Sequence, residues 1–368
     1  MLASGWAAWG RRAALIMVLG MLGACGSQAT PAAPAAPTTA PAASERAPAP
    51  ATPAAAAAAT TPPAPVGLRF AYTALSTTIA PYWIAEEAGY FREEGLDLDT
   101  RFISASTVGM QSLLAREVDV TTVTGGAALQ AAANGADIAI FASNVNAIIS
   151  QMVTAPEITT PEQLRGQSLG VVRFGTVSDF VAKLLLRGWG LEPGRDVPLV
   201  QLGGQAETIG AMQSGGVKAV VVADLPALEL RRLGFRLLAD GADLGREYVG
   251  LGVVANRPYL NTDGEAVRRF VRGLARGMGR FVSDKDYSLQ VIQKYTKMED
   301  PEALETSWQA HTEKYANRSL LTTTAAIRTV QEEVADDPRA AGLNPESVID
   351  NRFVQELHDS GFLARVYR

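Results

Sequence analysis

Val118-Asp119-Val120-Thr121-Thr122-Val123-Thr124-Gly125-Gly126-Ala127-Ala128-Leu129 is a β-branched run, a pair of glycines, and the start of an alanine-rich block that ends at Ala133. Valine and threonine crowd a helix but fit a pleated strand, so residues 118–123 predict a strand. Glycine permits a tight exit, and alanine has the highest helix preference of any residue. Strand, short glycine loop and helix together form the repeating unit of α/β folds.

The same unit recurs on both sides. Upstream, residues 68–72 and 96–103 read as strands and residues 80–88 and 108–115 as helices; downstream, 138–142 is the next strand. After Pro161, strands at 168–172, 200–202 and 218–223 alternate with helices at 177–186 and 206–214. Strands this apolar predict burial on both faces. Beyond residues 251–255 the chain turns helical, most clearly at 263–282, 287–295 and 301–315, with Asn261 or Thr262 placed to cap the first. Two α/β sets and a helical tail predict an α/β fold of two lobes with a cleft between them.

The 368 residues exceed one compact domain, and 47% hydrophobic with 19% charged residues describe a globular chain. A net charge of −5 without basic runs argues against nucleic acid, which requires clustered Lys and Arg. Arg11 and Arg12 precede an apolar run at 13–22, about half the length that spans a bilayer. That run ends in Leu22-Gly23-Ala24-Cys25, which resembles the bacterial lipobox and carries the only cysteine. The resemblance implies a signal peptide at 1–24 and lipid attachment at Cys25; Gly23 is a less usual choice than Ala or Ser. One cysteine allows no internal disulfide. Residues 26–66 collapse to Ala, Pro, Thr and Ser, which predicts a disordered tether over 25–66, about 120 Å at full reach.

Four segments carry a family resemblance. Pro81-Tyr82-Trp83-Ile84-Ala85-Glu86-Glu87-Ala88-Gly89-Tyr90-Phe91 with Glu94-Gly95-Leu96 resembles a signature of the nitrate, sulfonate and taurine, and thiamine-precursor (SsuA/THI5-like, NMT1) binding proteins. Residues 164–171, 190–197 and 349–362 are similar to three further blocks of the same family, in the same order. The resemblance covers essentially residues 67–367. It implies the type 2 periplasmic-binding fold, with residues 67–149 and 251–368 as one lobe and 150–250 as the other. Crossovers near 148–153 and 250–254 would form a hinge, and the lobes would close on a ligand. It also implies an extracytoplasmic solute-binding lipoprotein, monomeric, without cofactor or metal, serving an ABC importer's permease and ATPase.

Ligands of open α/β sheets sit beyond the carboxyl ends of strands, a rule that locates candidates without any family. Ser76 and Thr77 follow the first strand, and Gly125 and Gly126 follow the third, where glycine lets backbone amides approach a ligand. In the second set Arg173, Phe174, Gly175 and Thr176 precede a helix, a ready anion position. Each has a plainer reading: polar turns for the first loops, and a capping box of Thr176 with Asp179. Arg173 would neutralise a carboxylate or sulfonate, or pair with a neighbouring acid. Asp224 would accept from a ligand or cap the helix after Pro226. Tyr82 and Asn144 complete the set, with Asn146 beside it; Phe174 is the aromatic placed to stack, while Trp83 predicts core. These loops are mostly neutral, which predicts a neutral or singly charged solute of sulfonate, carboxylate, nitrate or pyrimidine type.

No G-x-S-x-G, H-E-x-x-H or Walker A sequence is present, and His311 and His358 lack metal-ligand spacing. The glycines of 273–279 lie inside an amphipathic helix and do not form a phosphate loop. Two other classes remain open on this sequence: a pyrimidine-precursor or menaquinone-pathway enzyme on the same fold, and a ligand-sensing lipoprotein.

Overall fold

The computed structural model describes residues 65–368. The expected signal peptide at 1–24, Cys25 and the Ala/Pro-rich stretch up to residue 64 lie outside the described residues. Ten strands run β1 Val66–Tyr72, β2 Leu96–Phe102, β3 Val120–Val123, β4 Ile138–Val145, β5 Gln151–Thr154, β6 Leu169–Val171, β7 Leu199–Gln201, β8 Ala219–Val222, β9 Arg236–Asp240 and β10 Leu251–Asn256. They form two five-stranded sheets, ordered β2-β1-β3-β10-β4 and β7-β6-β8-β5-β9.

Both sheets are mixed, and the direction of their strands decides where a ligand can go. β1 is parallel to β2 and β3, while β10 is antiparallel to β3 and β4. The chain therefore leaves the first sheet at the carboxyl end of β4 and returns along β10. In the second sheet β6 is parallel to β7 and β8, and β5 is antiparallel to β8 and β9. Gln151, which opens β5, pairs with Val222, which closes β8. The carboxyl ends of β1, β3 and β4 thus face the same junction as those of β6 and β8.

The crossings run at 146–150 and 241–250, so the expected crossover segments 148–153 and 250–254 are partly strand. The reason is chemical: Gln151-Met152-Val153-Thr154 is buried throughout and takes ladder hydrogen bonds on both sides. The central strand β3 is buried along its whole length, as is β4 at one edge of its sheet, whereas the edge strands β2 and β7 are half exposed.

In the first half, Phe70, Tyr82, Phe91 and Phe141 pack around Phe270, and Trp83 is fully buried against Tyr295 at 4.6 Å. The Gly264–Ser283 helix lies on the Ala80–Glu87 helix, and a Cβ at Gly277 would stand 2.1 Å from the Pro81 carbonyl oxygen. Its glycines serve close helix packing. Neither Asn261 nor Thr262 caps it: the N-cap is Asp263, and the Thr262 hydroxyl donates backward to the Pro258 carbonyl within a short preceding helix. The expected 301–315 helix is α-helical only over Pro301–Ala310, then widens to a π turn at His311–Tyr315.

Candidate functional site

Thr77, just past β1, is fully buried, and its hydroxyl lies 2.8 Å from that of Ser307. Ser307 sits on the Pro301–Ala310 helix and donates to Asp224 Oδ2 at 3.2 Å. Two residues 147 positions apart, Thr77 at the first sheet and Asp224 at the second, are joined through one serine. Asp224 does not cap its helix; it is the first residue of Asp224–Arg232, whose N-cap is Ala223. Ser76 turns its hydroxyl to Thr78 at 2.6 Å, a local polar turn.

The glycines after β3 are held by packing. Gly125 donates its amide to the Val249 carbonyl, and a Cβ there would stand 2.6 Å from Val330 and 2.9 Å from Val249. A Cβ on Gly126 would meet the Glu333 carboxylate at 3.2 Å. The two glycines let the Thr324–Glu333 helix close over the start of the Gly125–Ala133 helix. Tyr82 and Asn144 are core residues: the Tyr82 hydroxyl donates to Asn144 Oδ1 at 2.9 Å, and Asn144 Nδ2 donates to the Thr78 carbonyl at 2.7 Å. Each spends its polar atoms on the other or on backbone.

The loop between β6 and the Val177–Gly188 helix is tied down by side chains of the same half. Val172 donates its amide to Ser178 Oγ, Phe174 to Gln201 Oε1, and Gly175 to Asp179 Oδ2 at 2.9 Å. The expected capping box does not form. The Thr176 hydroxyl donates back to the Arg173 carbonyl, and Asp179 reaches Gly175 instead of the N-cap amide. Asp179 is 2% exposed; Oδ2 also takes Lys183 Nζ at 2.7 Å, while Oδ1 has no hydrogen-bond partner among the described residues. Phe174 is 50% exposed at the rim, and Arg173 is exposed with no ion-pair partner among the described residues.

Other site groups escaped sequence reasoning. His311 is 2% exposed, with Nδ1 2.8 Å from the Ser307 carbonyl and 3.7 Å from Asp224. The i, i+4 spacing of Ser307 and His311 on one helix face was its only signal. Gln151 and Tyr315 both donate to Asp240, with Lys314 at its edge. Burial raises the Tyr315 hydroxyl well above its usual range, with Asp240 adding to the rise, so it is a donor. Tyr248 donates to Glu333 at 2.6 Å. Burial raises the Glu333 carboxyl above the ordinary range, and the tyrosine hydrogen bond opposes the rise.

Two cavities flank this junction. One, about 230 Å³, is lined by Gln151, Asp224, Asp240, Ser307 and Lys314. The other, about 360 Å³, runs between the Val177–Gly188 and Thr324–Glu333 helices and includes Gly175, Thr176 and Asp179. A larger recess of about 470 Å³ lies away from the strand ends, where Arg268 pairs with Glu356 and Arg272 with Glu94.

The family described as NMT1/THI5 like matches residues 76–286. The binding protein YtlA of Bacillus subtilis (strain 168) is 24% identical over 258 residues, covering 68% of this chain and 76% of its own. Among solved structures, the periplasmic aliphatic sulphonate binding protein SsuA from Escherichia coli superposes with a TM-score of 0.64 at 19% identity, over 78% of this chain and 97% of that one. The periplasmic nitrate-binding protein NrtA from Synechocystis PCC 6803 gives 0.61 at 12% identity, over 83% and 91%. The two mixed sheets form the periplasmic-binding-protein fold, and the chain belongs to the NMT1/THI5-like family.

Proposed function

We propose that this chain is the extracytoplasmic solute-binding component of an ABC importer, holding a small molecule between two lobes. The lobes would be residues 67–149 with 251–368, and residues 150–250, hinged at the crossings 146–150 and 241–250. One observation carries the reading: the strand carboxyl ends of both sheets face one junction, where Thr77, Ser307 and Asp224 form a single hydrogen-bonded chain. The names of the similar proteins support it, since they describe binding of sulphonates and nitrate.

Ser307, His311 and Asp224 share residue types with a hydrolytic triad, but their geometry does not suit one. Ser307 Oγ donates to the carboxylate, and the imidazole nitrogen nearest Ser307 faces its carbonyl, so the imidazole is not in line to take the hydroxyl proton as a triad requires. The test is retention. The full chain, incubated with a mixed metabolite extract and passed over gel filtration, should carry one small molecule unaltered at near-equal stoichiometry. A chain that retains nothing, or that converts a component of the extract, contradicts the proposal.

We further propose that Cys25 is the lipid attachment point, with 25–66 as a tether and the solute site facing the periplasm or cell exterior. The chain would act as a monomer on the importer's permease and ATPase. Cells expressing Cys25→Ser should show no lipid label on the protein; labelling equal to that of the unaltered chain removes the anchor.

A further inference from the structure

An anion bound in an α/β cleft sits at helix starts, where backbone amides and the helix dipole meet it. In this cleft three such starts already hold carboxylates of the chain. Asp179 takes the Gly175 amide ahead of the Val177–Gly188 helix. Glu333 lies over Gly126 at the start of the Gly125–Ala133 helix. Asp224 is itself the first residue of the Asp224–Arg232 helix. A solute anion would meet like charge at each one.

The 360 Å³ cavity collects the first two of these groups. Its walls carry four carboxylates, Asp179, Glu332, Glu333 and Asp336, against two cations, Lys183 and Arg187. Arg246 pairs with Glu332, and Lys183 takes one oxygen of Asp179. That leaves Asp179 Oδ1 buried and without a partner among the described residues, which is costly for a carboxylate unless a donor arrives. Phe180 lines the same cavity and stacks on Tyr248 at 6.4 Å, and Tyr248 in turn donates to Glu333. Carboxylates beside an aromatic face are the surroundings that favour an organic cation. At about 360 Å³ the cavity suits a small solute.

We propose that the solute of this cleft is a small organic cation, its ammonium group received by Asp179 and Glu333 with Phe180 beside it. This rests on the solute-binding reading above and narrows it. It departs from the expectation of a sulfonate or nitrate: Arg173 and Arg187 are exposed, and Lys183 is already paired with Asp179.

Thermal unfolding of the full chain, with ethylammonium chloride, sodium ethanesulfonate, sodium nitrate and sodium chloride at equal ionic strength, tests it. Ethylammonium should raise Tm above the sodium chloride control, and the two anions should not. Asp179→Asn and Glu333→Gln should each weaken the ethylammonium response about tenfold or more in half-saturating concentration. Glu333→Gln keeps an acceptor for Tyr248, so it reports on charge even if Asp179→Asn disturbs its loop. No response to ethylammonium overturns the inference, as does a response left intact in both variants. A rise with ethanesulfonate or nitrate in place of ethylammonium also overturns it, yet leaves the solute-binding function standing. If the molecule retained in gel filtration is an anion, the cation assignment falls in the same way.

Discussion

Asn144 illustrates how much a polar residue's role depends on who its partners are. Its amide completes the Tyr82 hydroxyl on one side and the Thr78 carbonyl on the other, locking the loop after β1 to the end of β4. Asn144→Leu would leave the buried Tyr82 hydroxyl without an acceptor, which costs about 1–3 kcal/mol in a urea melt. A loss below about 0.5 kcal/mol would mean that the pair contributes nothing and that Asn144 is free for another task. The residue types and strand-end positions of Ser76, Thr77, Thr176 and Asp224 were legible in the sequence. Their partners were not, because Thr77 meets Ser307 across 230 positions, and no local pattern encodes that meeting.

At the scale of elements, apolar blocks bounded by glycine gave seven of the strands and most of the helices near their observed bounds. What periodicity could not supply was direction. A buried run such as Leu251–Asn256 looks the same parallel or antiparallel, so the mixed pairing of β10 and β5 had to come from the path of the chain. β5 and β9 escaped because they are only four and five residues long and abut the crossings. The π turn at His311–Tyr315 was equally hidden, since the sequence continues a helical pattern through it. That turn brings His311 beside Asp224, and Tyr315 within 3.1 Å of both Gln151 and Asp240.

For the whole molecule, the two sheets are joined by two short crossings and meet where their strand ends face each other. If the solute sits between the two sheets as proposed, binding is expected to close them, because each side would supply only part of the site. Asp179 and Thr176 come from the half with residues 150–250, and Glu333 from the C-terminal helices, yet they line one cavity. The division into two sheets was legible in the sequence as the gap between two α/β sets, whereas the carboxylates gathered beside it were not. The most direct test is small-angle scattering on the full chain, with and without the solute it retains from a metabolite extract. Closure predicts a smaller radius of gyration with the solute present, reversed when the solute is removed. An unchanged radius at saturating solute would contradict two lobes that close on a ligand.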